Sequence, residues 1–182
     1  MPSTITRLRD LVPLRRLSTP EALQVAEDQA YRLLRLSGIT EPPLAEDVIA
    51  GMPHIQVERV VPASALAATQ WSHGRWLIII NGAASRGRQR WSLAHEVKHI
   101  LDHPFVTILY PRGSTELAEQ ACDYFAACLL MPRRWLRRAW SQGTPDVRTL
   151  ARLFGVTPAA VTARLLQVGL IDPTSHHLVR DA

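Results

Sequence analysis

His95-Glu96-Val97-Lys98-His99 lies inside residues 84–103, a stretch that reads as one long helix stopped by Pro104. On a helix, side chains four apart share one face, one turn from each other. Two imidazoles so placed can bind one metal ion. Glu96 is rotated by about 100° from His95, which lets it reach a water held by the metal rather than the metal itself. Two neutral nitrogen donors beside a carboxylate base are what metal-assisted peptide hydrolysis requires. Five residues alone also describe two surface histidines flanking a solvated glutamate, so the residues beyond Pro104 decide between the two.

A hydrolytic metal site needs a third protein ligand and an open position. A second long helix is expected over 114–131, ended by Pro132, after a loop holding Pro111-Arg112-Gly113. Glu119 stands on it, and two antiparallel helices would bring this residue opposite His95 and His99. Asp123, one turn further on, would accept the outer N–H of a ligating histidine. Glu116 shares that face and competes with Glu119 on spacing alone. His103 is an alternative ligand, although a helix C-terminus also favours a histidine there. Leu93, Val97 and Ile100 on the first helix, and Leu117, Ala121, Phe125 and Leu129 on the second, form apolar faces. Burying the glutamate and two histidines between those faces without a cation would be costly.

Working outward, 54–61 alternates like a strand, and 67–71 with 75–81 reads as a hairpin around Ser72-His73-Gly74. Residues 20–36 form a helix with Thr19 as cap and Pro20 in its first turn, and a short helix follows at 44–50. Residues 1–19 are basic and lack periodicity, as in a loosely held arm. A basic helix is expected at 133–140. After a linker at Ser141-Gln142-Gly143, two short helices start at Thr144-Pro145 and Thr157-Pro158. The division is an arm at 1–19, a core domain at 20–140 and a helical region at 144–182.

The chain has 182 residues, 47% of them apolar, a net charge of +5 and a pI near 10.0. It can bury a core, and its composition is not that of a disordered chain. Nothing approaches the roughly 20 apolar residues of a membrane helix, and no secretion signal is read at the start, so a cytoplasmic protein is expected. Lys98 is the only lysine; the other positive charges are arginines. Cys122 and Cys128 are expected to be two buried thiols, too far apart to bridge and without partners for a metal site. His54, His73, His176 and His177 have no partner spacing.

Two blocks carry a resemblance: Arg88-Gln89-Arg90-Trp91-Ser92-Leu93-Ala94-His95-Glu96 through His99, and Glu119-Gln120-Ala121-Cys122-Asp123-Tyr124-Phe125-Ala126-Ala127-Cys128-Leu129-Leu130-Met131-Pro132. Over about 70–135 the chain resembles the ImmA/IrrE family of metallopeptidases. The resemblance implies an α+β, zincin-like core: a small antiparallel sheet, a helix bearing the two histidines and a ligand helix, followed by a helix-turn-helix-like region. It favours Glu119 over Glu116 as ligand, beside His95 and His99, with Glu96 as catalytic base and Asp123 behind the ligands. An extended substrate would lie along an edge strand at 75–81, near Trp76, Ile78 and Ile80. The implied function is a zinc-dependent metalloendopeptidase that cleaves or inactivates a helix-turn-helix repressor and releases mobile-element or stress genes. Two nitrogens and a carboxylate suit zinc, with manganese or iron as alternatives. Lys98 departs from the family, which usually has glycine there; the side chain either crowds the site or points to solvent. Cys122 replaces a usual alanine.

In the last two helices, Ala151, Gly155 and Val161 fit helix-turn-helix spacing, with Leu150, Leu153 and Leu165 as a small core. The second would expose Thr157, Thr162, Arg164 and Gln167, a thin set for reading bases. Packing or partner docking is therefore favoured over DNA binding. The alternative function is a non-proteolytic regulator that binds a repressor or DNA with a retained zincin fold. An oxyanion donor is sought among Tyr110, Tyr124, His73 and Arg90.

Overall fold

The structure, a computed structural model, describes residues 2–61, 67–110, 114–142 and 146–172. Among the described residues three strands form one sheet: β1 (Ile55–Val60), β2 (Ala67–Ser72) and β3 (Arg75–Asn81). β2 and β3 make the expected hairpin. Its two-residue turn, His73-Gly74, has positive φ at both positions (49° and 78°), the twist that closes a tight hairpin. The sheet is not purely antiparallel as expected: β1 pairs parallel to β3, giving the order β1-β3-β2. β3 is therefore the central strand, and the edge facing the helices' open side is β2. Trp76, Ile78 and Ile80 share one face of β3, and all three are buried. Each fully buried isoleucine contributes about 1.5–3 kcal/mol.

Helix α4 (Arg86–Asp102) crosses the sheet and bears the histidine pair, with Leu93, Val97 and Ile100 inward. Ser85 caps it through the Arg88 N–H. A 3-10 turn (His103–Phe105) and a short α5 (Val106–Leu109) lead toward α6 (Thr115–Leu130), which lies along α4. Pro104 and Pro132 end the two long helices, as expected. Helix α2 (Thr19–Leu36) backs α6. Its cap is Ser18 rather than Thr19: the Glu21 carboxylate accepts the Ser18 backbone N–H at 2.9 Å, a reciprocal arrangement that needs Ser and Glu three apart. Only Asp47–Ala50 of the expected 44–50 helix forms (α3). The basic helix is α7 (Arg133–Ser141).

Residues 2–19 are not a loose arm. Thr4–Arg9 forms α1, which buries Ile5 and Leu8, and Val12 and Leu17 enter a second apolar cluster with Leu109, Tyr110 and Ala121. Arg9 donates from Nη2 to the Ile100 carbonyl at 2.7 Å and from Nε to that of Leu101 at 3.3 Å. A guanidinium thereby satisfies carbonyls that the end of α4 leaves free. The short helix at 4–9 offers too few turns for periodicity to show.

The last helices are α8 (Val147–Phe154) and α9 (Pro158–Gln167), joined through Gly155 at φ 65°. Asp146 caps α8, accepting from the Thr149 N–H at 2.7 Å; Thr144-Pro145, expected to start it, lies outside the described residues, as do Pro111-Arg112-Gly113, His176 and His177. Thr157 caps α9 as expected. Leu150 and Leu165 are buried with Ala151, Phe154 and Val161 in the main core, whereas Leu153 is exposed, because Phe154 takes the inward position. Arg164 is not offered to solvent: it is 1% exposed, donates from Nε to the Met131 carbonyl at 3.2 Å and lies over the Tyr124 ring.

Where α4 meets the α8–α9 turn, the backbones approach closely. A Cβ on Gly87 would lie 2.8 Å from the Val156 carbonyl carbon and 3.0 Å from the Thr157 nitrogen. Gly87→Ala gains about 1 kcal/mol of helix propensity, but the clash with rigid backbone exceeds it. The expected result is a net loss of about 1–2 kcal/mol, read as a Tm lowered by roughly 2–8 °C in a thermal melt. An unchanged or raised Tm would show that this contact relaxes freely.

Candidate metal centre

His95 and His99 project from one face of α4 toward α6, whose Glu119 meets them. The two Nε2 atoms are 3.1 Å apart. Glu119 places Oε2 3.2 Å from His95 Nε2 and Oε1 3.3 Å from His99 Nε2. Glu119, not Glu116, is the carboxylate brought to the imidazoles; the Glu116 side chain belongs to the exposed first turn of α6. The group is less enclosed than expected. Glu119 remains 56% exposed while the His95 side chain is 16% exposed, so the site opens to solvent on the α6 side.

Asp123 lies one turn past Glu119, where its Oδ1 accepts from His95 Nδ1 at 2.9 Å and from Trp91 Nε1 at 3.2 Å. The hydrogen bond to His95 holds the Asp123 carboxyl below its ordinary range. Burial acts to lower the His95 pKa, but Asp123, Glu119 and Glu96 together outweigh it and the net shift is upward. Glu96 is buried, and the Thr69 hydroxyl of β2 donates to its Oε2 at 2.5 Å.

These residues line a cleft of about 670 Å³ floored by α4 and walled by α6 and β2. At one end Trp76 is flanked edge-on by Trp71 and His103, with centroids 5.2 and 4.8 Å away. His103 thus joins this wall rather than the histidine pair. Ile78 and Ile80 are fully buried and inaccessible to any substrate, since β3 is central; Ala67, Ala68 and Thr69 of β2 occupy the position expected of the edge strand. Of the four oxyanion candidates only Tyr110 lines the cleft, and its hydroxyl is donated to Asp102. Tyr124 hydrogen-bonds Glu27, Arg90 the Leu44 carbonyl, and His73 sits in the hairpin turn.

Two further departures concern single residues. Cys122 does not stand apart from the histidine pair, as its sequence context led us to expect: its Sγ and ring nitrogens of His95 and His99 lie within 4.8 Å of one another, close enough to share one ion. It follows Glu119 by three positions, so the helix turns it to the same side. Burial pushes its thiol pKa far up. Lys98 neither crowds the site nor reaches solvent: it is 1% exposed and its Nζ is 2.6 Å from Asp102 Oδ1. Thr69 gave no signal in the sequence, whereas Trp91, one turn before His95, could have been found by helical spacing.

No helix among the described residues is long and apolar enough to cross a membrane. No curated protein matches the chain. A solved structure titled "Mycobacterium tuberculosis transcriptional regulator" shares the fold with a TM-score of 0.60 at 18% identity, covering 91% of this chain and 52% of that one. The chain therefore spans about half the length of that regulator. The profile described as the IrrE N-terminal-like domain, a peptidase family, matches residues 54–166, which include the helix of the histidine pair and the helix of Glu119, and the chain belongs to that family.

Proposed function

We propose that the chain is a cytoplasmic, zinc-dependent metalloendopeptidase in which His95, His99 and Glu119 hold the metal, Glu96 is the base and the substrate is a helix-turn-helix repressor or a related regulatory protein. The observation that carries this is the triangle of ligand atoms with sides of 3.1 to 3.3 Å. Four ligands placed tetrahedrally at zinc bond lengths lie about 3.3 Å from one another. The donor set supports the same reading. With its Nδ1–H given to Asp123, a neutral His95 turns a lone pair at Nε2 toward a carboxylate oxygen. Two acceptors face each other there, and only a proton or a cation between them makes the contact favourable.

Bound there, a divalent cation would acidify a water and polarise the scissile carbonyl. The remaining work falls to side chains. Asp123 fixes the His95 tautomer. Thr69 orients Glu96, whose free oxygen takes the proton from the attacking water and passes it to the leaving amine. An extended substrate backbone adds to the outer edge of β2, which pairs only with β3 among the described residues. The aromatic wall and half-exposed Val106 offer an apolar side chain a place to rest. DNA reading by α9 loses its best candidate, because Arg164 is buried.

The test incubates purified protein with candidate helix-turn-helix repressors and follows cleavage by mass spectrometry. Cleavage is expected to stop after chelation and return with one equivalent of zinc. Cleavage that persists in the chelated protein would end the reading. A graded check is Asp123→Asn, expected to lower zinc affinity by about 10–100-fold in a competition titration; unchanged affinity would remove Asp123 from the site.

A further inference from the structure

We propose that the cavity between α4 and the α8–α9 turn binds a phosphate-bearing small molecule. This hollow of about 440 Å³ shares no lining residue with the cleft described above. Arg86 and Arg90 reach it from α4, and Arg148 and Arg152 from α8. Each pair is spaced four apart, so each helix presents two guanidinium groups on one face, and the faces meet across the cavity. No carboxylate lines it among the described residues, and none of the four arginines is in an ion pair there.

Arg86, Arg148 and Arg152 are exposed and Arg90 is partly buried, with Glu46 and Asp146 acting on Arg90 and Arg152 from outside the lining, so an anion seated in the hollow would meet four cations and no lining carboxylate. One of them is also held in place. Arg90 donates from Nη2 to the Leu44 carbonyl, and its buried Nε has no hydrogen-bond partner. Gly155 makes room for it, since a Cβ at that position would lie 2.9 Å from the Arg90 Nε. The N-terminal end of α9 opens beside the cavity at Pro158 and adds the favourable end of its dipole.

Guanidinium forks match phosphate oxygens in geometry as well as charge. The cavity is much larger than a phosphate ion needs and falls in the size range of small-molecule sites. Pro43, Val156 and Pro158 supply uncharged wall for the rest of a ligand. A concave site of this kind suits a compact phosphorylated molecule better than a duplex, whose phosphates run along a convex backbone.

The experiment is calorimetric titration of the whole chain with inorganic phosphate, adenosine monophosphate, adenosine and a duplex of about 20 base pairs. Adenosine monophosphate or phosphate is expected to bind, and adenosine not. Arg148→Ala/Arg152→Ala is expected to weaken that binding about tenfold or more. Arg137→Ala/Arg138→Ala removes the same charge from the exposed face of α7 and is expected to change nothing. The proposal is overturned if neither phosphate compound binds, if both double variants weaken binding equally, or if adenosine binds as well as its phosphate. Binding of the duplex alone, lost on removing Arg148 and Arg152, would replace it with a DNA contact.

Discussion

Glu96→Gln is expected to lower the rate of repressor cleavage by about 10²–10⁴-fold while zinc content and folding stay as in the native protein. Glutamine keeps the shape and can still accept the Thr69 hydroxyl, so the wall of the cleft is preserved. It lacks a basic oxygen, so the water proton has nowhere to go. The residue is 7% exposed and its contact with β2 is short, which holds the carboxylate in one place at the wall of the cleft. Thr69→Val should reduce the rate less, because the carboxylate survives but loses the group that orients it. Rates come from gel time courses at matched protein concentration, and metal content from elemental analysis of the same samples. Cleavage by Glu96→Gln at the native rate would remove Glu96 as base, whereas loss of zinc from it would assign the residue to metal retention. Inactivation of the repressor without any cut, by native and variant protein alike, would favour the binding regulator.

The helical skeleton of the site is legible in the sequence because helices write their faces into local spacing. His95 and His99 share a face by the period of the helix, and the proline after each long helix marks its end. Glu119 is separable from Glu116 only through family resemblance; spacing leaves both open, and the distances to the imidazoles separate them. Pairing in the sheet is less legible. A strand's sequence states which residues are buried, not which neighbour it meets, so it hides the parallel pairing of β1 and the central place of β3. The fate of long cationic side chains is least legible. Charge alone sends Arg9, Lys98 and Arg164 to solvent, yet each ends on carbonyls or a carboxylate supplied by another part of the chain. Their partners lie 91, 4 and 33 positions away. Of these only the Lys98–Asp102 pair sits at helical spacing, and nothing local tells that the pair faces inward.

That pair yields the largest stability effect expected. Asp102 accepts from Lys98 on Oδ1 and from the Tyr110 hydroxyl on Oδ2, so both oxygens are satisfied although the group is 4% exposed. Lys98→Met keeps an unbranched apolar stem and removes the charge. Asp102 is then a buried carboxylate with one neutral donor and only the more distant Arg9 charge, and the expected loss is about 3–5 kcal/mol. In a chain of this length that lowers Tm by roughly 6–20 °C. Asp102→Asn should also destabilise, since it strands the Lys98 ammonium. Combining the two leaves a methionine beside a neutral amide that still accepts from Tyr110, so the double variant should recover most of the loss. A thermal or denaturant cycle on the four proteins measures the coupling. Strictly additive losses would mean that the two charges do not sense each other, and that the lysine in place of the family's glycine is held by packing alone.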